Sequence, residues 1–446
     1  MKKRAALHNL GCKVNAYETE AMRQLLEEDG YEIVPFEPGA DVYVINTCTV
    51  TNIADRKSRQ MLHKARKMNP NAIVVAAGCY VETADGGVEK DPAIDIILGN
   101  NQKNQLVSVI RDFEQKRGGK GAEESSGAIT KKIDINHTKE YESLIIDRTE
   151  SRTRADIKVQ DGCNQFCTYC IIPFARGRVR SRDTQDVLQE VRALAASGCH
   201  EVVLTGIHLS SYGVDLEEGM DLTALIEAVH EVDGISRIRL GSLEPGIVTE
   251  KFAYTLAALP KVCPHFHLSL QSGCDTVLKR MNRRYTAEEY YEKCVLLREK
   301  FDHPALTTDV IVGFPGETEE EFAETEAFLK KIAFYETHIF KYSRRKGTKA
   351  DAMEHQIPEE IKAKRSDILL KLDKEHRKLY EAVLAGTEQE VLFEEKVTLD
   401  GKEWFVGHTK EYVKIAVPAA EDLSNQLRTV KVSGQRAGEL LTAEVR

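Results

Sequence analysis

No apolar run in this chain approaches the ~20 residues that a membrane-crossing helix needs. The opening stretch MKKRAALHNLGC has basic residues but no continuous apolar segment behind them, which argues against a secretory signal and for a cytoplasmic protein. A basic surplus is missing too. The 62 Lys and Arg face 71 Asp and Glu, a formal net charge of -9, so a uniformly basic nucleic-acid binder is excluded and any polyanion contact rests on local stripes. Disulfides are not expected in a reducing compartment, which leaves ten cysteines as a large number unless several bind metal. What remains is an ordinary globular composition, 42% hydrophobic and 30% charged over 446 residues, long enough for about three domains.

Cys163, Cys167 and Cys170 fall inside eight residues of the stretch DGCNQFCTYCIIPFARGRVRSR. A short loop with this spacing can wrap thiolates around one iron-sulfur cluster or one soft metal ion. Three ligands are one short of the usual four, so a metal corner stays open, as catalytic sites require. The spacing resembles the signature of the radical S-adenosylmethionine superfamily. That resemblance implies a 4Fe-4S cluster held by the three thiolates, S-adenosylmethionine on its fourth iron, and a 5′-deoxyadenosyl radical as the product of sulfonium cleavage. The plainer alternative is a zinc knuckle lacking one ligand.

From Arg4 to about Phe113, short apolar runs alternate with amphipathic stretches, the pattern of a small doubly wound parallel-sheet α/β domain. Strands are expected at 5–9, 42–46, 73–77 and 94–98, with helices over 18–29 and 56–68 and a helix stop at Gly30. Cys12, Cys48 and Cys79 each follow one of these strands. In an open parallel sheet, the carboxyl ends of the strands form the ligand crevice, so the three meet at one edge. Gly11 and Gly78 would let the backbone approach a bulky ligand there. This placement does not separate an iron-sulfur cluster from zinc.

A polar, Gly-rich stretch at 115–126, QKRGGKGAEESS, marks a linker. The expected division is 1–115 for the N-terminal domain, 116–150 for the linker and crossing segment, 151–385 for the core and 386–446 for the tail. Within the core, strands expected at 157–160, 201–205, 237–240, 265–270, 307–312 and 338–342 alternate with helices, which suggests a partial (β/α)6 barrel reacting at its carboxyl-end face. Turns at TGIHLSSYG, LSLQSGCD and DVIVGFPGET suit a cofactor, with Gly206, Gln271 and Tyr169 as candidate contacts. A charged helix from about Pro358 to Leu384 gets no catalytic role. The tail reads as a five-stranded all-β barrel of the kind that holds single-stranded RNA, with Trp404, Phe405 and Tyr412 either as stacking faces or as its own core.

Three basic groups flank the expected mouth: Arg176, Arg178, Arg180 and Arg182; Lys279, Arg280, Arg283 and Arg284; and Arg344, Arg345, Lys346 and Lys349. Solvated faces are the common reading of such runs, but three beside one mouth favour phosphate contact.

The order of parts resembles the methylthiotransferases over essentially the whole chain. NLGCKVNAYETE, VINTCTVTNIADRKSRQ, AAGCYVE, SLQSGCDTVLKRMNRRYT and VGFPGETEEEF are similar to that family's segments, and the tail to its TRAM domain. GCKVNAYE and RGRVRSR look most like the branch acting on N6-threonylcarbamoyladenosine beside the anticodon of tRNA. The resemblance implies replacement of the C2 hydrogen of that adenine by a methylthio group. Two 4Fe-4S clusters are implied, on Cys12, Cys48 and Cys79 and on Cys163, Cys167 and Cys170, with S-adenosyl-L-methionine as both methyl donor and radical source. It implies an electron donor such as flavodoxin or ferredoxin, no membrane partner, and no catalytic residue beyond the cluster ligands. Rival substrates are N6-isopentenyladenosine in tRNA and a ribosomal-protein aspartate. A distant rival is a non-enzymatic metal-containing RNA-binding protein.

Overall fold

The computed structural model describes residues 2–84, 86–118, 128–149, 153–217 and 219–446. The chain begins with β1 (Arg4–Asn9), α1 (Lys13–Glu28), β2 (Glu32–Ile33), β3 (Val42–Thr47), α2 (Asn52–Met68), β4 (Ile73–Gly78), α3 (Cys79–Thr83), β5 (Ile96–Leu98), α4 (Leu106–Gly118) and β6 (Ile129–Lys131). The six strands form one parallel sheet in the order β2-β1-β3-β4-β5-β6. Every residue of β3 and β4 is buried, as expected for central parallel strands covered on both faces. Met22, Leu26, Val109 and Ile110 from α1 and α4 cover one face, and Leu62, Ala65, Tyr80 and Val81 from α2 and α3 cover the other. The expected doubly wound domain is therefore present.

Two edge strands escaped the sequence reading. β2 has two residues and β6 three, too short for a period of two to register. β6 also corrects the expected crossing segment, because its first residues complete the N-terminal sheet. Helix α4 continues to Gly118, into the stretch read as a linker, and residues 119–127 of that stretch lie outside the described residues.

The core continues with β7 (Arg154–Asp161), α5 (Ile172–Arg176), β8 (Arg180–Ser181), α6 (Thr184–Ala196), β9 (Glu201–Gly206), α7 (Leu222–His230), β10 (Arg237–Leu240), α8 (Glu250–Ala257), β11 (His265–His267), α9 (Asp275–Arg280), α10 (Ala287–Lys300), β12 (Ala305–Val312), α11 (Glu319–Ile332), β13 (Glu336–Lys341) and α12 (Glu359–Val383). β10, β9 and β7 are parallel neighbours, as are β11, β12 and β13. Parallel bridges Leu243–Leu268 and Gln271–Val310 tie the strand ends together. The result is the predicted six-stranded partial barrel, with β8 added antiparallel to β7. Local signals set the helix starts. Thr286 with Glu289 and Thr318 with Glu321 form reciprocal capping boxes at α10 and α11, each satisfying backbone N–H groups that the first turn leaves without partners.

Helix α1 belongs to two cores. Its Tyr17 and Ala21 pack into the barrel core beside Ile157 and Val191, and the Tyr17 hydroxyl donates to the Leu144 carbonyl at 2.6 Å. The N-terminal sheet is thereby fixed against the flank of the barrel next to β7.

The tail strands are β14 (Glu388–Leu399), β15 (Lys402–His408), β16 (Lys414–Pro418), β17 (Leu427–Ala437) and β18 (Leu440–Val445), closed into a barrel in the order β14-β15-β16-β18-β17. Its core takes in Ala305 and Tyr335 from the larger barrel. Phe405 is buried in that core, so it is not a free stacking face.

Candidate active site

Cys12 caps the start of α1 directly after β1, Cys48 follows β3, and Cys79 opens α3 after β4. β1 and β3 are where the strand order of the sheet reverses, the topological switch point at which such sheets bind ligands. Cys48 and Cys79 are buried, whereas Cys12 is exposed and lines a cavity. The three thiols lie near one another: burial, with the neighbouring Cys79 and Cys12 adding to it, raises Cys48 to about 11. A Cβ on Gly11 would sit 3.0 Å from the Cys48 sulfur. The space beside Gly78 is filled by Asn46 and the Thr47 carbonyl. Both glycines thus permit close packing of chain on chain, and not the approach to a ligand expected from sequence.

The second triad sits on the loop between β7 and α5. Burial raises the Cys163 thiol to about 11 and the Cys170 thiol to about 12, with Cys167 adding to both. The Cys163 N–H donates to the Gly177 carbonyl at 3.0 Å, which closes the loop. Gly162 has φ +71, and a Cβ there would lie 1.8 Å from the Arg178 carbonyl oxygen, so the left-handed turn and the tight approach both demand glycine.

One cavity of about 620 Å³ joins the two triads: Cys12, Cys163 and Cys170 all line it. Gly206 from the end of β9, His267, Asp309 and His338 from the barrel strands, and Tyr412 from the tail complete much of its wall. Tyr169 instead packs near Phe314, with ring centroids 6.5 Å apart, in a small apolar cluster. Gln271 has φ +69 and its backbone pairs with β12, accepting from Ile311 and donating to Asp309. Of the three candidate cofactor contacts, the structure brings Gly206 to the cavity wall beside the cysteines.

A buried ionic network lies behind the first triad. Glu18 pairs with Arg176 (2.9 Å), Lys158 (2.8 Å) and Lys103 (3.1 Å). Asp161 pairs with Lys158 (2.6 Å), Arg176 (3.1 Å) and Arg180 (3.7 Å). All six side chains are essentially inaccessible to solvent. Burial works against the Glu18 charge, but Arg176, Lys103 and Lys158 together hold its carboxyl well below the usual range. Within this group four cations face two carboxylates, with Glu142 acting on Lys158 and Glu82 on Lys103 and Arg176 from beside it, since a buried charge must find a counter-charge or be lost. The Arg176 Nε–H points at the Cys79 sulfur, 3.2 Å away. Across the cavity, Arg283 donates to the Cys167 sulfur at 3.3 Å and to Glu244 at 2.6 Å. Each triad thus has one guanidinium aimed at one of its sulfurs, a contact that becomes charge-assisted when the thiol is ionised.

These partners overturn the reading of the arginine run as phosphate contacts. Arg176, Arg180 and Arg182 are buried, and Arg182 pairs with Glu190 at 2.5 Å. Arg178 is the exposed member, lying 4.4 Å from the Phe166 ring centroid. Arg283 faces Cys167, Arg280 pairs with Glu321 at 2.6 Å, and Arg345 reaches Asp55 and Thr49 in the N-terminal domain at 2.8 and 2.7 Å. Tyr412 is likewise no stacking face: Arg154 and Arg239 flank it at 4.9 and 4.5 Å, and the His408 ring stacks on it at 4.3 Å. Sequence reasoning missed Glu18, Asp161, Lys103 and Lys158. The available signal was polar residues in segments otherwise patterned for burial, such as IKVQD in β7.

Cys199, Cys263, Cys274 and Cys294 are buried away from both triads, consistent with small hydrophobes. Among the described residues, no helix is long and apolar enough to cross a membrane.

The family model described as the radical SAM superfamily matches residues 157–329, and one described as uncharacterized protein family UPF0004 matches residues 4–99. The threonylcarbamoyladenosine tRNA methylthiotransferase MtaB of Bacillus subtilis (strain 168) is 41% identical over 428 residues, 96% of this chain and 93% of that protein. The tRNA-2-methylthio-N(6)-dimethylallyladenosine synthase of Finegoldia magna is 34% identical, over 95% of this chain and 90% of that protein. Among solved structures, a radical S-adenosylmethionine methyltransferase from Kitasatospora setae, with cobalamin and a 4Fe-4S cluster bound, superposes with a TM-score of 0.56 at 17% identity. That match covers 79% of this chain and 74% of that one, a likeness of fold.

Proposed function

This chain belongs to the methylthiotransferase family of radical S-adenosylmethionine enzymes, and from that membership we propose how its parts divide one reaction. The enzyme is a tRNA methylthiotransferase acting on threonylcarbamoyladenosine, and its product carries the methylthio group at C2 of the adenine. Identity is higher to the threonylcarbamoyladenosine enzyme than to the dimethylallyladenosine one, 41% against 34%, which favours the first substrate. The target lies next to the anticodon.

The observation that carries this reading is the single cavity bordered by both cysteine triads. The donor sets fit 4Fe-4S clusters: each offers three clustered thiols and leaves one metal corner open, and the Arg176 guanidinium directed at Cys79 suits an anionic centre. Cys163, Cys167 and Cys170 would hold the cluster that, with S-adenosylmethionine, supplies a carbon radical, and Cys12, Cys48 and Cys79 the one that delivers sulfur. An aromatic C–H is too weakly acidic for any side-chain base, so the hard step falls to the cofactors. The chain itself orients the groups. Arg176 and Arg283 fix one sulfur in each triad, Gly206 shapes the wall beside Cys163 and Cys170, and the apolar wall residues Val14, Ile172 and Leu240 exclude water. Exposed Val50, Ile53 and Phe174 offer apolar surface to an unstacked RNA loop. A reduced flavodoxin or ferredoxin would supply the electron.

Replacing Cys167 by Ala should abolish formation of 5′-deoxyadenosine by the anaerobically reconstituted enzyme. Cys48→Ala should leave that cleavage detectable and stop sulfur insertion. Equal loss of both in Cys48→Ala, with the barrel cluster still visible by spectroscopy, rules out separate roles. Nucleoside analysis of tRNA from a deletion strain decides the substrate, through loss of either methylthiolated threonylcarbamoyladenosine or its dimethylallyl counterpart.

A further inference from the structure

Lys13 follows Cys12 directly and lines the same cavity. Among the described residues, no hydrogen bond or ion pair engages its ammonium group. The charge that acts on it most is the Asp156 carboxylate, which forms no ion pair with it, while Arg239 and Arg154 are committed to Glu201 at 2.8 and 2.6 Å. Two carboxylates share the cavity wall, Asp309 and Glu336, and Asp309 already has His267 at 3.3 Å. The cavity therefore has carboxylates on the strands β12 and β13 and, next to Cys12, a cation that has Asp156 nearby but no ion pair.

A threonylcarbamoyl group joins threonine to N6 through a urea and leaves the α-carboxylate free, whereas a dimethylallyl group in that place is wholly apolar. In adenine, C2 and the N6-bearing C6 both flank N1, so the substituent leaves the ring from the edge that carries the reacting carbon. Whatever receives the substituent must then lie beside whatever serves C2. Lys13 stands in that relation to Cys12. We propose that Lys13 is the subsite for the free carboxylate of the N6-threonylcarbamoyl group, and so selects this substrate over an N6-alkylated adenosine. The inference rests on the substrate reading above. An ammonium-carboxylate hydrogen bond is of the strong, charge-assisted kind, and an apolar substituent offers the Lys13 ammonium no such partner.

The test uses reconstituted enzyme and two anticodon stem-loop RNAs, one carrying threonylcarbamoyladenosine and the other its carboxyl methyl ester. Wild-type enzyme should prefer the acid by about tenfold in KM, the effect of one charge-assisted hydrogen bond. In Lys13→Gln that preference should fall to near one, and Lys13→Arg should keep most of it. Dissociation constants from fluorescence anisotropy should follow the same pattern, and the iron content of each variant separates lost recognition from a lost cluster. An acid-over-ester preference that survives Lys13→Gln at full iron content, or a wild-type enzyme that treats the two RNAs alike, overturns the subsite and leaves the substrate reading intact. A wild-type enzyme that methylthiolates neither RNA overturns the substrate reading and the subsite with it.

Discussion

Replacing Glu18 by Gln removes one of two negative charges from a buried group that already holds four cations. Breaking a buried pair typically costs about 3–5 kcal/mol, because the surviving charges stay desolvated. Urea unfolding of Glu18→Gln should register a loss of that order, with Glu18→Asp closer to wild type. A loss under about 1 kcal/mol would mean that water reaches the network and the charges are not truly buried. The same logic explains why the arginine run misleads as sequence. Alternate positions in an extended segment share a side, but which side faces carboxylates and which faces solvent depends on Glu18 and Glu190, distant in the chain. Arg176 and Arg182 found those partners, and Arg178 was left outside.

At the scale of elements, the loop from β7 to α5 depends on two segments touching backbone to backbone. Gly162→Ala places a methyl group 1.8 Å from the Arg178 carbonyl, on a residue with φ +71. The variant should keep the helical content of wild type by circular dichroism but lose the iron attributable to Cys163, Cys167 and Cys170. Undiminished iron would show that the loop can shift without cost. The capping box at α11 gives a contrasting case: Thr318→Ala removes the acceptor for the Glu321 N–H, at a cost of about 1 kcal/mol, and should leave iron content untouched.

At the scale of the whole molecule, the tail is docked onto the amino-terminal ends of the barrel strands. Arg237 and Arg239 from β10 donate to the carbonyls of His408 and Lys410 at 2.8 and 2.9 Å, and Tyr412 is wedged beside His265, with ring centroids 5.3 Å apart. Burial, reinforced by Arg239, Lys13 and His267, holds the His265 imidazole neutral, its pKa well below the ordinary 6.5; Glu201 opposes this. The unfolded chain takes up that proton first as pH falls. The stability His265 contributes is therefore present above about pH 6.5 and lost below it, by up to about 1.4 kcal/mol per pH unit. His376 and His8, also lowered by burial, act in the same direction. Melting temperature should fall between about pH 7 and pH 5.5, and His265→Gln should flatten the fall. A profile that is level in wild type would mean that folding leaves the His265 pKa where it is in the unfolded chain.

The sequence by itself determined the elements and their order. Periodicity placed β1, β3, β4, β5 and all six core strands within a few residues, and glycine and proline marked the carboxyl end of α1 and the start of α12, because those signals act over a turn or two of chain. It also placed each cysteine triad at strand ends, since the 163–170 loop is local and strand ends in a parallel sheet converge by topology. Only the tertiary structure decided what surrounds them. That Cys12 shares a cavity with Cys163 and Cys170, that Arg176 faces Cys79 and not a phosphate, that Tyr412 packs beneath the barrel, and that Lys13 has Asp156 nearby but no ion pair are facts of long-range packing. Each depends on residues close to a hundred or more positions apart, between which no local propensity carries information.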